Sequence, residues 1–141
     1  MRDLMNHIHP IVAIAPVVVT DGSAQTSVAI DLQGYNSCTF IIAVGTLEDT
    51  DATWSVEVSE GDTNVVNDHT AVVDKELVGT EADAGFTFED DGETRKIGYV
   101  GNKRYVSIEI DDVVANTGNA PLSVIAILGH PNVGPTTNPP A

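Results

Sequence analysis

Apolar and polar residues alternate along much of the chain with a period of two, the spacing of a half-buried strand and not of a helix. Val28, Ile30 and Leu32 share one parity, with Ala29 and Asp31 between them. Trp54, Val56 and Val58 repeat the pattern around Ser55 and Glu57, and Val106, Ile108 and Ile110 repeat it around Ser107 and Glu109. Two runs, 40–44 and 122–128, are apolar at nearly every position. Such runs suit central strands covered on both sides, by a second sheet or by a neighbouring subunit. Val and Ile are abundant, which favours the same state.

Turn-forming clusters separate these runs: Asp21-Gly22-Ser23, Gly34-Tyr35-Asn36, Ser59-Glu60-Gly61-Asp62, Glu89-Asp90-Asp91-Gly92, Gly101-Asn102 and Asn116-Thr117-Gly118-Asn119. Gly101-Asn102 is placed to close a two-residue hairpin between strands at 96–100 and 103–110. The count comes to about eight strands at short spacing, the mark of a sandwich or barrel. No amphipathic helix of ordinary length is visible; residues 68–79 hold one helical turn or two short strands. The pattern predicts an all-β fold, a two-sheet β-sandwich of jelly-roll type over residues 11–130. Phe40, Ile42, Trp54, Val56, Ile108, Ile110, Val124 and Ile127 are expected in its core. Residues 1–10 read as an N-terminal arm. Residues 131–141, with four of the seven prolines and no charge, read as an extended or disordered tail.

A chain of 141 residues fits one domain that needs no metal or crosslink to sustain a core. Charge changes the picture more. Six Lys and Arg face 21 Asp and Glu, for a net charge of −15. That balance excludes non-specific nucleic-acid binding and attraction to an anionic membrane, both of which need cations. No apolar run is long enough to span a bilayer as a helix. Four of the six cations, Arg95, Lys96, Lys103 and Arg104, fall within ten residues. They face either a partner or the chain's own carboxylates. Cys38 is the single cysteine, set in an apolar run, so it reads as a buried inert thiol. The first 19 residues lack the charged start and continuous apolar core of a secretory signal, and are read as part of the mature protein.

Candidate chemistry is sparse. His7 and His9 would point the same way on a strand, but no Cys or acid nearby completes a zinc set, and His69 and His130 stand alone. The acidic loops 48–51 and 89–93 are of the kind calcium favours, without the ligand alternation of a calcium-binding loop, and are read as solvated turns. No nucleophile elbow, catalytic triad context or phosphate-cradling glycine loop occurs. Seven aromatic residues are few for a carbohydrate or base-stacking platform. The expectation is a protein with no enzymatic activity, no metal and no cofactor.

The distinctive segment is Arg95-Lys96-Ile97-Gly98-Tyr99-Val100-Gly101-Asn102-Lys103-Arg104-Tyr105-Val106. It mixes cations with tyrosines, as interfaces do. This segment, with Val124-Ile125-Ala126-Ile127-Leu128-Gly129-His130-Pro131 after it, resembles the ending of a family of small tailed-phage proteins encoded in the head-structure gene cluster. The opening Ile14-Ala15-Pro16-Val17-Val18-Val19-Thr20 is similar too. So are Val28-Ala29-Ile30-Asp31-Leu32-Gln33-Gly34-Tyr35-Asn36-Ser37 and Val56-Glu57-Val58-Ser59-Glu60-Gly61-Asp62, in the same order. The tail beyond Pro131 is longer, and the charge more negative, than the family pattern.

The resemblance implies a bacteriophage virion structural protein: a capsid decoration, or cement, protein made in the host cytoplasm and bound to the capsid surface. Its implied partners are the major capsid protein and its own copies, a homotrimer suiting the local three-fold positions of a shell. Nucleic acid and membrane are not expected partners. Two alternatives stand beside it. One is a head–tail joining or tail component; the other is a calcium-dependent module for host-surface glycans that uses the acidic loops. For docking, Leu4, Met5 and Ile8 of the arm offer apolar anchors, and Arg95, Lys96, Tyr99, Lys103, Arg104 and Tyr105 offer cations and amphipathic rings.

Overall fold

The structure, a computed structural model, describes residues 2–114 and 116–140. Met1 of the expected arm and Ala141 of the expected tail lie outside the described residues. The strands are β1 (Ile8–Val19), β2 (Gln25–Thr26), β3 (Ile30–Asp31), β4 (Tyr35–Val44), β5 (Thr53–Gly61), β6 (Thr70–Ala71), β7 (Leu77–Val78), β8 (Phe86–Thr87), β9 (Thr94–Tyr99), β10 (Tyr105–Val114) and β11 (Ala120–Pro131). A single helical turn, α1 (Glu81–Ala84), lies between β7 and β8. Every pairing is antiparallel. Sheet I runs β1-β11-β4-β9-β7; sheet II runs β2-β10-β5-β6, with β3 also on β10 and β8 also on β5. The two form a sandwich, as expected, and do not close into a barrel. Among the described residues the strands number eleven and not about eight, because β2, β3, β6, β7 and β8 are two-residue pieces that the periodicity does not register.

Parity decides the core. Trp54, Val56 and Val58 on β5 and Val106, Ile108 and Ile110 on β10 turn inward and are buried. They meet Phe40, Ile42, Val124 and Leu128 of sheet I in one continuous apolar cluster. Ile127 departs from the expected core. It is opposite in parity to Val124 and Leu128, pairs with Thr39 and Pro10, and lies half-buried on the outer side of sheet I.

Val28 departs too. It is exposed, while Ser27 beside it is buried. The cause lies in the backbone: residues 27–29 leave the sheet between β2 and β3, and the Val28 N–H donates to the Ala13 carbonyl at 3.3 Å. Ala13 sits where β1 itself shifts register, so two irregularities meet and join the sheets along one side. Ser27 is satisfied by position: its amide donates to the Ile108 carbonyl at 2.9 Å, and its hydroxyl accepts from the Ile108 N–H at 2.9 Å. On the other side, Glu81 of α1 accepts from the Val58 N–H at 2.7 Å, covering the stretch of β5 between β6 and β8.

The segment expected as a hairpin is not one. β9 belongs to sheet I and β10 to sheet II, so Val100 to Arg104 carries the chain across the sandwich. The aromatic ring of Tyr99 fills the bend. A Cβ at Gly101 would overlap that ring, at 2.6 Å from its Cε2 atom, which is why the bend takes glycine. Both chain ends are drawn in. Ile8, His9 and Pro10 are strand residues, paired with Gly129, Leu128 and Ile127. The tail returns over the arm: the Thr136 N–H donates to the Asn6 carbonyl at 3.0 Å, and its hydroxyl to the Ile8 carbonyl at 2.7 Å.

Candidate interaction surface

Strand register gathers at one end of the sandwich most of what the sequence singles out. Tyr99 pairs with Cys38 near the start of β4, and Gly129 pairs with both Ser37 and Ile8. The arm, the tail and the crossing 100–104 therefore share that end, although almost 100 residues separate arm from crossing. Leu4, Met5 and Ile8 line a shallow apolar pocket of about 350 Å³ together with Pro10 and Pro140. Leu4 and Met5 are 67% and 61% exposed there. Beside the crossing lies a second pocket of about 380 Å³, lined by Gln33, Tyr35, Asn36, Lys103 and Arg104 among others.

The cations do not form a free positive cluster. Arg104 grips Asp31 with two parallel bonds, Nε to Oδ1 at 2.9 Å and Nη2 to Oδ2 at 2.8 Å, and reaches Gln33 at 2.7 Å. Its guanidinium lies 5.1 Å from the Tyr105 ring centroid. Hydrogen bonding to Arg104 holds the Asp31 carboxyl below its ordinary range. Lys103 pairs with Asp62 at 2.6 Å. Arg95 stands at the opposite end of β9, bound to Asp90 at 2.5 Å and Glu93 at 2.6 Å. Lys96 is exposed on the outer side of sheet I and, among the described residues, forms no ion pair. Three of the four clustered cations thus neutralise the chain's own carboxylates.

Tyr99 is not a surface anchor. It is 2% exposed, facing between the sheets, and its hydroxyl donates to Glu60 while accepting from the Lys103 N–H at 3.0 Å. Burial, reinforced by Glu60, pushes its phenol pKa up, so the ring is a neutral strut of the crossing. Tyr105 is half-buried at the start of β10. Cys38 is buried, and desolvation pushes its thiol up to about 12, as expected of an inert thiol.

The acidic loops serve the backbone. Asp49 accepts from the Thr117 N–H at 2.8 Å and its hydroxyl at 3.0 Å; Glu48 accepts from the Asn119 N–H at 3.1 Å. Asp90 accepts from the Thr87 N–H at 2.7 Å, and Asp91 from the Leu47 N–H at 2.7 Å. Among the described residues, no three His, Cys, Asp or Glu converge as metal ligands. His7 and His9 do not share a face: His7 is exposed in a short 3₁₀ turn, and His9 is buried, stacked 5.4 Å from Tyr35. His69 packs over β10, with Nδ1 2.8 Å from the Ser107 hydroxyl and Nε2 2.9 Å from the Thr63 carbonyl. Sequence reasoning misses Asp31, Asp62 and Thr136, whose roles depend on contacts across more than 40 residues; no local signal marks them.

No protein-family model and no curated protein matches the chain. Several solved structures are similar to it at low identity. The capsid of Ralstonia phage GP4 aligns with a TM-score of 0.48 and 10% identity, over 92% of this chain and 88% of that one. The SPBc2 prophage-derived protein YomS aligns at 0.46 and 12% identity, over 87% and 93%. The C-terminal domain of EclA, a sugar-binding protein, aligns at 0.45 and 10%, over 90% and 81%.

Proposed function

We propose that this chain is a bacteriophage virion structural protein, a decoration protein that binds the outside of an assembled capsid by the end carrying its arm and crossing. The observation that carries the reading is the convergence of two segments singled out separately in the sequence. Leu4, Met5 and Ile8 come to the same end as Lys103, Arg104 and Tyr105. Exposed apolar anchors and a planar guanidinium there offer what a protein partner recognises. The role needs no chemistry of its own; repeated modest contacts with the major capsid protein add up over a shell. Lys103 and Arg104 contribute by neutralising Asp62 and Asp31, which would otherwise face the partner.

Occupancy on particles tests this. Leu4→Asp combined with Met5→Asp alters two exposed side chains and should leave folding intact. Its affinity for undecorated shells of the virus's own major capsid protein should fall about tenfold or more, a loss of about 1.4 kcal/mol or greater. Equal occupancy of variant and wild type at limiting concentration refutes docking through this end. Failure of the wild type to bind shells at all refutes the decoration role.

A further inference from the structure

None of the five strands of sheet I contains an Asp or Glu, in a chain that has 21. Both long strands of sheet II carry them, and Glu57 pairs with Glu109 on the outer side. The sandwich therefore has one acidic outer face and one without carboxylates. The latter is also apolar. Pro10 and Val12 of β1, Ile125 and Ile127 of β11, and Ile41 and Ala43 of β4 lie side by side across three paired strands. Val12 is 55% and Ile125 41% exposed, high values for β-branched residues in a sheet. Lys96, next in the row after Ile41, is the one charged side chain on the outward strand positions of this face among the described residues.

We propose that the outer face of sheet I is a self-association surface, covered by the same face of a second copy in a closed two-fold pair. Charge selects the face by which two copies can meet. Two copies at −15 each repel, and contact through sheet II would oppose carboxylates directly; sheet I lets them meet with none at the centre. A neutral apolar face is also complementary to itself, as a two-fold contact requires. The extent is sufficient. Strands of 12, 12, 10 and 6 residues, at about 3.3 Å per residue and about 4.8 Å apart, cover about 600 Å² per copy, which reaches the lower end of specific interfaces. Pairing goes through the face and not through an edge of sheet I, because β1 at one edge carries Pro10, Pro16 and two register shifts, and β7 at the other is only two residues long. A face used in a two-fold contact is closed at two copies, so the pair stands in place of the homotrimer that the resemblance implies.

This proposal does not depend on the virion reading. Sedimentation velocity on the full chain, up to about 1 mM, where even weak pairs associate, should show a species of twice the 14.8 kDa chain mass. Its dissociation constant should fall as salt screens the repulsion. Ile125→Glu places a carboxylate at the centre of the face and should weaken pairing about a hundredfold or more, with circular dichroism and melting of the monomer unchanged. Thr39→Glu, on the polar neighbour of Ile127, provides a second reading that removes no apolar group. A monomer throughout the range, a trimer, or a dimer indifferent to both variants overturns the proposal.

Discussion

Tyr99 joins three parts of the molecule through one side chain. Its ring packs under Gly101, its hydroxyl donates to Glu60 of β5, and the same oxygen accepts from the Lys103 amide. From sequence it looks like a second interface tyrosine beside Tyr105. The inward parity of Ile97 and Tyr99 on β9 places it between the sheets instead. Tyr99→Phe keeps the ring but leaves a part-buried carboxylate and an amide without this partner. Urea unfolding should show a loss of about 1–3 kcal/mol with an unchanged m-value. No change in the denaturation midpoint would mean that water replaces the hydroxyl without cost. The cations carry the same lesson. Their cluster at 95–104 was visible, but the acids that neutralise three of them lie elsewhere in the chain or across a turn, and the ion pairs exist only once the strands are placed.

At the scale of elements, alternation was a reliable guide where strands run straight. β5 and β10 bury the positions their periodicity predicts, because one face of each has only the core to meet. It failed at Val28, where the backbone leaves the sheet to bond Ala13, while Ile30 is buried as predicted. In 122–128, apolar on both faces, it put Val124 and Ile127 in the core together although they lie on opposite sides. β11 settles that by register: Val124 and Leu128 face sheet II, and Ile125 and Ile127 face outward. A pair of truncations separates the faces. Ile108→Ala, at 0% exposure, should cost about 2–5 kcal/mol through lost burial and a residual cavity. Ile127→Ala should cost less than about 1 kcal/mol in dilute protein, where its face meets water. Equal losses by thermal or urea unfolding would mean that the outer face of sheet I is covered within the single chain. The hairpin expected at Gly101-Asn102 fails for a related reason. Gly-Asn permits a tight turn, but pairing is decided by which sheet each strand joins, and β9 finds β4 while β10 finds β5.

For the whole molecule, a net charge of −15 acts on stability through self-repulsion. Few cations remain free to offset it, since Arg95, Lys103 and Arg104 already sit on carboxylates. The melting temperature at neutral pH should therefore rise with sodium chloride, mostly below about 0.5 M, as the screening length shortens to a few ångströms. A scan at low protein concentration keeps association out of the measurement; a flat or falling trend would show that the acids are arranged without net repulsion. The sequence by itself determined the β class, most of the core and the acidity, because each follows from local alternation or from a sum over residues; that two open sheets stack instead of one closing into a barrel is a matter of strand order. The sequence also held the absence of acids from the strands of sheet I, but without any sign that those strands adjoin. Only tertiary structure decided that they share one sheet, that the arm and the crossing meet at one end, and which partner each carboxylate holds. Contacts between residues distant in the chain depend on strand order and register, and no local pattern encodes either.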